Sequence, residues 1–254
     1  MLIRQYEAVQ RITESLKQDD LVKAVFLKGS LGREEEDEHS DVDLYVLVDD
    51  EAQFLPKRVR HLEAYRPLIF YDDIFIIAPQ IIAVYEDLLH LDLFTVTNET
   101  IIHKDAFKVL YDPASRLNNH EVEYNLNLSD QEFVDAVEDS AFFLLQYKKA
   151  AGRGNDLWAV KMLTNVMENL ARVLLCKYCP KRALLGLKTI ERSLHKSLVL
   201  ECKSIFKYTT VHDHPRAAYL IAELLDREFA WITICLPTTM VTASFLRRMI
   251  DEVK

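Results

Sequence analysis

Apolar positions Leu2, Tyr6, Val9, Ile12 and Leu16 fall three or four residues apart, which predicts a first helix over 2–17 that ends at Asp19-Asp20. The pattern then becomes strand-like. Leu21–Lys28 reads as a buried strand and Asp41–Val48 as its partner, with the acidic stretch Glu34–Glu38 in the loop between them. A short helix with a basic face (Lys57, Arg58, Arg60) is predicted over 51–65. Strand-like runs follow at Ile76–Glu86, interrupted by Pro79, and at Leu88–Thr97. In the last of these, Leu89, Leu91, Leu93 and Thr95 alternate with His90, Asp92, Phe94 and Val96, so Asp92 is a carboxylate in mid-strand. That is a costly place unless the group is paired or binds a cation.

From residue 129 the period changes from two to 3.6. Ser129 and Glu132 have the spacing of a capping box, and Phe133, Val137, Ala141, Leu144 and Leu145 follow on one helix face. Gly152–Asn155 breaks that helix. A second is predicted over Asp156–Tyr178 with Leu163, Val166, Leu170, Val173 and Leu174 inward, and Pro180 ends it. Further helices fit 187–207, 214–235 and 239–253, the second capped by Asp213 with Pro215 in its first turn. Short connections favour an antiparallel bundle of about five helices. The expected organisation is α+β, with a mixed-sheet domain over 1–115 and a helical domain over 128–254.

Composition narrows the setting. A chain of 254 residues with 50% hydrophobic content can bury a sizeable core in two modest domains. Four cysteines, no N-terminal apolar signal and no long apolar run predict a cytoplasmic protein without disulfides and without a membrane span. Cys176 and Cys179, a lone Cys-x-x-Cys, read as helix packing rather than a zinc site, and His212 and His214 as part of a helix start rather than metal ligands. The formal net charge of −9 disfavours a nucleic-acid partner and suits a cationic small molecule.

The chemistry is concentrated in one segment. Gly29 and Gly32, two of only five glycines, flank Ser30 at the end of the first strand, in Lys28-Gly29-Ser30-Leu31-Gly32-Arg33. Backbone N–H groups in such a turn can close around an anion. Asp41 and Asp43 open the next strand. Being two apart they point to one face, while Val42 and Leu44 turn to the core. A carboxylate pair of this kind suits Mg²⁺ bridging nucleotide phosphates, because Mg²⁺ takes hard oxygen ligands.

The Gly29-Ser30 turn followed by Ser40-Asp41-Val42-Asp43 resembles the signature of the nucleotidyltransferase superfamily, and is most similar to its antibiotic-modifying branch, the aminoglycoside and lincosamide nucleotidyltransferases. The resemblance extends to about residue 113, where Lys108–Pro113 resembles a closing strand and turn. It implies a third carboxylate on a neighbouring strand, for which Asp92 is the candidate. The other reading of Asp92 is an edge-strand acid, exposed or paired with a base near 57–60. The resemblance further implies that Gly29 and Ser30 hold the triphosphate of a nucleotide, ATP or another, and that Asp41, Asp43 and Asp92 hold two Mg²⁺ ions. It also implies transfer of a nucleoside monophosphate to a hydroxyl of a small-molecule acceptor with release of pyrophosphate. Arg33 either reaches a phosphate or pairs with adjacent glutamates. Lys161 and Glu168, in line with Asn165 on one helix face, are candidates for touching the acceptor in a cleft between domains, Glu168 alternatively forming an ion pair with Arg172. Gln146 stands where a relative carries a catalytic acid, which leaves Glu138, Asp139, Glu168 and Asp92 as candidate bases. Homodimers are usual in the resembling families. Two other readings stand beside this one, a protein-modifying nucleotidyltransferase of a toxin–antitoxin pair and a catalytically silent nucleotide-binding module.

Overall fold

The computed structural model describes residues 3–101, 105–118, 126–237 and 241–254. The chain divides into two units, Met1–Asn125 and Leu126–Lys254. The first unit is built on six strands, β1 (Val22–Leu27), β2 (Val42–Val48), β3 (Leu68–Phe75), β4 (Pro79–Tyr85), β5 (His90–Val96) and β6 (Lys108–Tyr111), in the order β3-β4-β5-β2-β1-β6. The sheet is mixed, since β2 runs parallel to β5 whereas the other neighbours pair antiparallel.

Alternation along β2 sorts its residues onto two faces. Val42, Leu44, Val46 and Val48 join Leu91 and Leu93 of β5 beneath helix α1 (Ile3–Leu16), which inserts Ala8, Val9, Ile12 and Leu16. On the opposite face Tyr45 and Leu47 pack with Phe26, Phe94 and Val96 in a smaller cluster. There Tyr45 stacks on Phe94 at 4.4 Å and on Phe26 at 5.2 Å. Asp41 and Asp43 lie on this second face, where the aromatic row stops.

Two features of the first unit depart from the periodicity. The sequence between 66 and 75 has no regular alternation, yet it supplies edge strand β3. Its Ile69, Phe70 and Tyr71 are exposed, and Asp72 and Asp73 give the edge the charge that discourages pairing with other chains. The expected strand from Ile76 begins only at Pro79, the first residue of β4, a position where proline is tolerated. Residues 51–62 form two short helices, α3 (Glu51–Phe54) and α4 (Arg58–Leu62), linked by a 3-10 turn. The basic residues there are occupied elsewhere than at Asp92: Lys57 pairs with Asp19 at 3.0 Å, and buried Arg58 with Asp73 at 2.7 Å.

In the second unit the capping box forms as the spacing predicts. Glu132 N donates to Ser129 Oγ, and Ser129 N donates to Glu132 Oε2 at 2.7 Å, at the start of α5 (Asp130–Ala151). Helix α6 (Asp156–Tyr178) follows, with Leu163, Val166, Leu170, Val173 and Leu174 buried. The continuous helix expected over 187–207 is broken. Gly186, at φ +53 and ψ −135, interrupts a 3-10 run over Pro180–Lys188, and the chain then forms α7 (Ile190–Ser193) and α8 (Lys196–Tyr208). Glycine adopts that backbone without steric cost, so the break is local chemistry that apolar periodicity overlooks.

Helices α9 (His214–Cys235) and α10 (Thr242–Val253) complete the unit; part of the predicted start of the latter, residues 238–240, lies outside the described residues. Asp213 occupies the cap position of α9, but its carboxylate accepts from Thr210 Oγ1 at 3.3 Å and does not cap the helix. His214 is buried, with Nδ1 3.1 Å from Tyr147 Oη and Nε2 3.2 Å from Asp156 Oδ1, so it ties three helices together, whereas His212 is exposed. Cys176 and Cys179 pack against the helical core, and burial pushes the Cys176 thiol up. Among the described residues no helix is long and apolar enough to cross a membrane.

Because Leu163 is fully buried while Leu157, in the same helix, is 77% exposed, their truncations should separate cleanly. Urea unfolding is expected to show a loss of about 2–5 kcal/mol for Leu163→Ala. For Leu157→Ala the change should stay within about 0.5 kcal/mol.

Candidate active site

The site is built where β1 ends. Lys28 N donates to Asp43 O at 3.0 Å, extending the β1–β2 ladder by one residue, and Gly29 then turns the chain at φ +62 into a single helical turn, α2 (Gly29–Gly32). A side chain at Gly29 would place its Cβ 1.8 Å from Asp43 Oδ2. At Gly32 it would lie 2.8 Å from Leu27 O and 3.0 Å from Ala106 O. The first glycine therefore lets the turn lie directly against a strand carboxylate, and the second lets it lie against backbone. Ser30 Oγ is buried here without a hydrogen-bond partner among the described residues. An orphan hydroxyl of this kind is costly and is satisfied when a polar ligand arrives.

The carboxylates come from the two parallel central strands. Asp43 of β2 is level with Asp92 of β5, and since Val42 is level with Leu91, the same register sets Asp41 beside His90. Four polar side chains thus occupy two adjacent rungs on one face of the sheet. His90 Nε2 lies 3.1 Å from Asp92 Oδ1, and Nδ1 lies 3.8 Å from Asp41 Oδ2. One ligand atom each from Asp41, His90 and Asp92 fall within 4.8 Å of one another, the only such group of three among the described residues. Asp92 is not an edge acid, because β5 is flanked by β4 and β2, and its partner is His90 rather than a base near 57–60. His90 is the residue that sequence reasoning passed over. The signal was there, a histidine two positions before Asp92 and hence on its face.

Around this group lie Lys28 and Tyr45. The Lys28 ammonium sits 4.8 Å from the centre of the Tyr45 ring, and burial lowers its pKa against the opposing pull of Asp105. Burial and then the charges of Asp43, Asp105 and Asp92 raise the Tyr45 phenol, which keeps it neutral. Arg33 is drawn to acids, as one of its two readings had it. Its Nη1 lies 2.6 Å from Asp105, whose carboxyl burial raises, and its Nε lies 3.3 Å from Glu35.

Lys161 and Glu168 belong to the second unit. Both are exposed on α6. Glu168 lines a cavity of about 510 Å³ with Asn169, Arg172 and the segment Leu184–Lys188. Among the described residues no ion pair joins Glu168 to Arg172, so the salt bridge suggested by their spacing does not form. Glu138 accepts from Thr242 Oγ1 at 2.6 Å.

The donors suit a divalent cation: carboxylates converge from two strands, a turn closes against one of them as only glycine permits, and an unsatisfied hydroxyl lies in that turn. Residues 10–85, which include Gly29, Ser30, Asp41 and Asp43, match the family model "Polymerase beta, Nucleotidyltransferase". The first unit thus carries a nucleotidyltransferase domain, and the chain is an enzyme of that class.

Comparison with curated proteins gives no match. Among solved structures, an aminoglycoside 6-adenyltransferase from Bacillus subtilis is similar at 12% identity and a TM-score of 0.44, over 98% of this chain and 97% of that one. A nucleotidyltransferase-like protein from Exiguobacterium sibiricum gives 10% and 0.36 over 98% and 72%. A STING-associated CdnE c-di-GMP synthase from Capnocytophaga granulosa gives 14% and 0.33 over 99% and 79%. Likenesses at this level leave substrate to be argued from the site itself.

Gly29→Ala tests how closely the turn and the carboxylate depend on each other. The added methyl must displace Asp43 and strain a left-handed backbone, so thermal unfolding should reveal a loss of about 1–2 kcal/mol. Divalent-cation binding by calorimetry should weaken in the same variant.

Proposed function

We propose that the chain transfers a nucleoside monophosphate, AMP from ATP, to a hydroxyl of a small polyhydroxylated molecule of the aminoglycoside or lincosamide kind. The observation that carries this reading is the convergence of Asp41, Asp43 and Asp92 beside the Gly29-Ser30 turn. Gly29 and Ser30 bind the triphosphate, the serine hydroxyl gaining the partner it lacks. Asp41, Asp43 and Asp92 hold two Mg²⁺ ions, which when bound supply positive charge against the α-phosphate and the departing pyrophosphate. In the transfer, the acceptor oxygen forms a bond to the α-phosphorus as the bond from that phosphorus to the bridging oxygen breaks, and pyrophosphate leaves.

The acceptor's hydroxyl proton passes to a base. Of the candidates, Asp92 shares a unit with Asp41 and Asp43, whereas Glu138 already accepts from Thr242. Arg33 touches phosphate only by exchanging its contacts with Asp105 and Glu35, so its part is secondary to that of the turn.

For the acceptor, support comes from the net charge of −9 and from the polar cavity lined by Glu168, Asn169 and Arg172. Its mixed charges suit a molecule rich in hydroxyl and amino groups, and Lys161 extends the polar strip of the same helix.

The reading is tested by incubating the protein with labelled ATP or GTP and a panel of aminoglycosides and lincosamides, following pyrophosphate release. Transfer is expected with Mg²⁺ and to stop in excess EDTA. Asp41→Asn and Asp43→Asn should each lower turnover by at least about a hundredfold with an unchanged circular dichroism spectrum. Wild-type turnover in either variant, at saturating Mg²⁺, would remove that residue from the site.

A further inference from the structure

A site made only of aspartates is a hard-oxygen site. Here one of the four positions on the two central rungs is an imidazole. We infer that His90 is a direct ligand at this centre and biases it toward a first-row transition dication over Mg²⁺. The inference rests on the reading of Asp41 and Asp92 as cation ligands and adds to it a preference among the divalent cations they accept.

Three observations carry it. The first is register: His90 stands on the same face as Asp92, two residues earlier in β5, and level with Asp41 across the strand pair, so the backbone aims it at the carboxylates. The second is contact. Its two ring nitrogens lie 3.1 Å from Asp92 and 3.8 Å from Asp41, which puts each nitrogen against a carboxylate oxygen. The third is freedom to move. The His90 side chain is 40% exposed, and apart from the Asp41 and Asp92 contacts it makes no hydrogen bond among the described residues, so turning one nitrogen onto an ion breaks nothing in the core.

The chemistry follows from ligand preference. Mg²⁺ demands near-ideal octahedral oxygen ligands and sheds water reluctantly, whereas transition dications accept imidazole nitrogen readily. A carboxylate–carboxylate–imidazole set therefore gains affinity for a transition ion that it does not gain for Mg²⁺. His90 held only as a hydrogen-bond partner for Asp92 would produce no such discrimination.

The experiment uses the full-length protein without nucleotide or acceptor and titrates it with Mn²⁺, followed by electron paramagnetic resonance, and with Mg²⁺ in competition. Wild type is expected to bind Mn²⁺ about tenfold or more tightly than Mg²⁺, and the bound Mn²⁺ is expected to show the modulation of a coordinated imidazole ¹⁴N. In His90→Ala and in His90→Asn that ¹⁴N signature should vanish and the preference should fall toward unity. Asparagine keeps a hydrogen-bonding group for Asp92, so it restores a structural role but not an imidazole ligand. An unchanged preference in His90→Ala, a full rescue by His90→Asn, or bound Mn²⁺ without ¹⁴N coupling would each overturn the inference while leaving the carboxylate site intact. Failure of wild type to bind either ion would overturn it too, and would also count against the metal-dependent transfer reading.

Discussion

Asp43 and Asp92 stand level with one another on adjacent parallel strands, and like charges in that position repel. Moving either strand by one residue would relieve the repulsion, but it would also turn the alternate leucines and valines of β2 and β5 away from the α1 core. The apolar face thus holds the carboxylates together against their own preference. What they cannot relieve by slipping, a bound cation would relieve, and His90 stands with a ring nitrogen 3.1 Å from Asp92 on the same face.

The surroundings follow from that constraint. Gly29 is needed because the turn after β1 passes directly over the Asp43 carboxylate. The Phe26–Tyr45–Phe94 stack forms a floor beside the acids and carries the buried Lys28 ammonium over its Tyr45 and Phe26 rings. Arg33 and Asp105 pair at the edge of the same turn, neutralising each other in a partly buried place where a lone charge would be costly. The Gly29–Gly32 turn and the strand ends are therefore preorganised by packing.

The second unit shows a different strategy. Its long helices bury one apolar stripe each, and the polar groups that fall inside are satisfied in pairs and triads. His214 bridges Tyr147 and Asp156, and buried Glu228 is held by Lys177 and Tyr178. Glu168 and Arg172 instead remain apart at the rim of a cavity framed by the kink at Gly186. Polar side chains that do not satisfy one another are open to a ligand, whereas the satisfied triad at His214 reads as architecture.

Much of this was legible in the chain. Apolar strand-like runs marked β1 and β2, alternation marked β5, period 3.6 and the Ser129–Glu132 box marked α5, and Asp-x-Asp after Gly-Ser marked the candidate site, because each of these is local geometry that nearby residues impose on themselves. The edge strand β3 escaped, since an exposed strand needs no alternation and is held by its pairing to β4. The break within 187–207 escaped because a single glycine outweighs a continuing apolar pattern. His90 was visible as a letter but not as a member of the site. Whether a strand histidine faces an aspartate on another strand depends on register between segments almost fifty residues apart, and register is decided by how the sheet packs on its core.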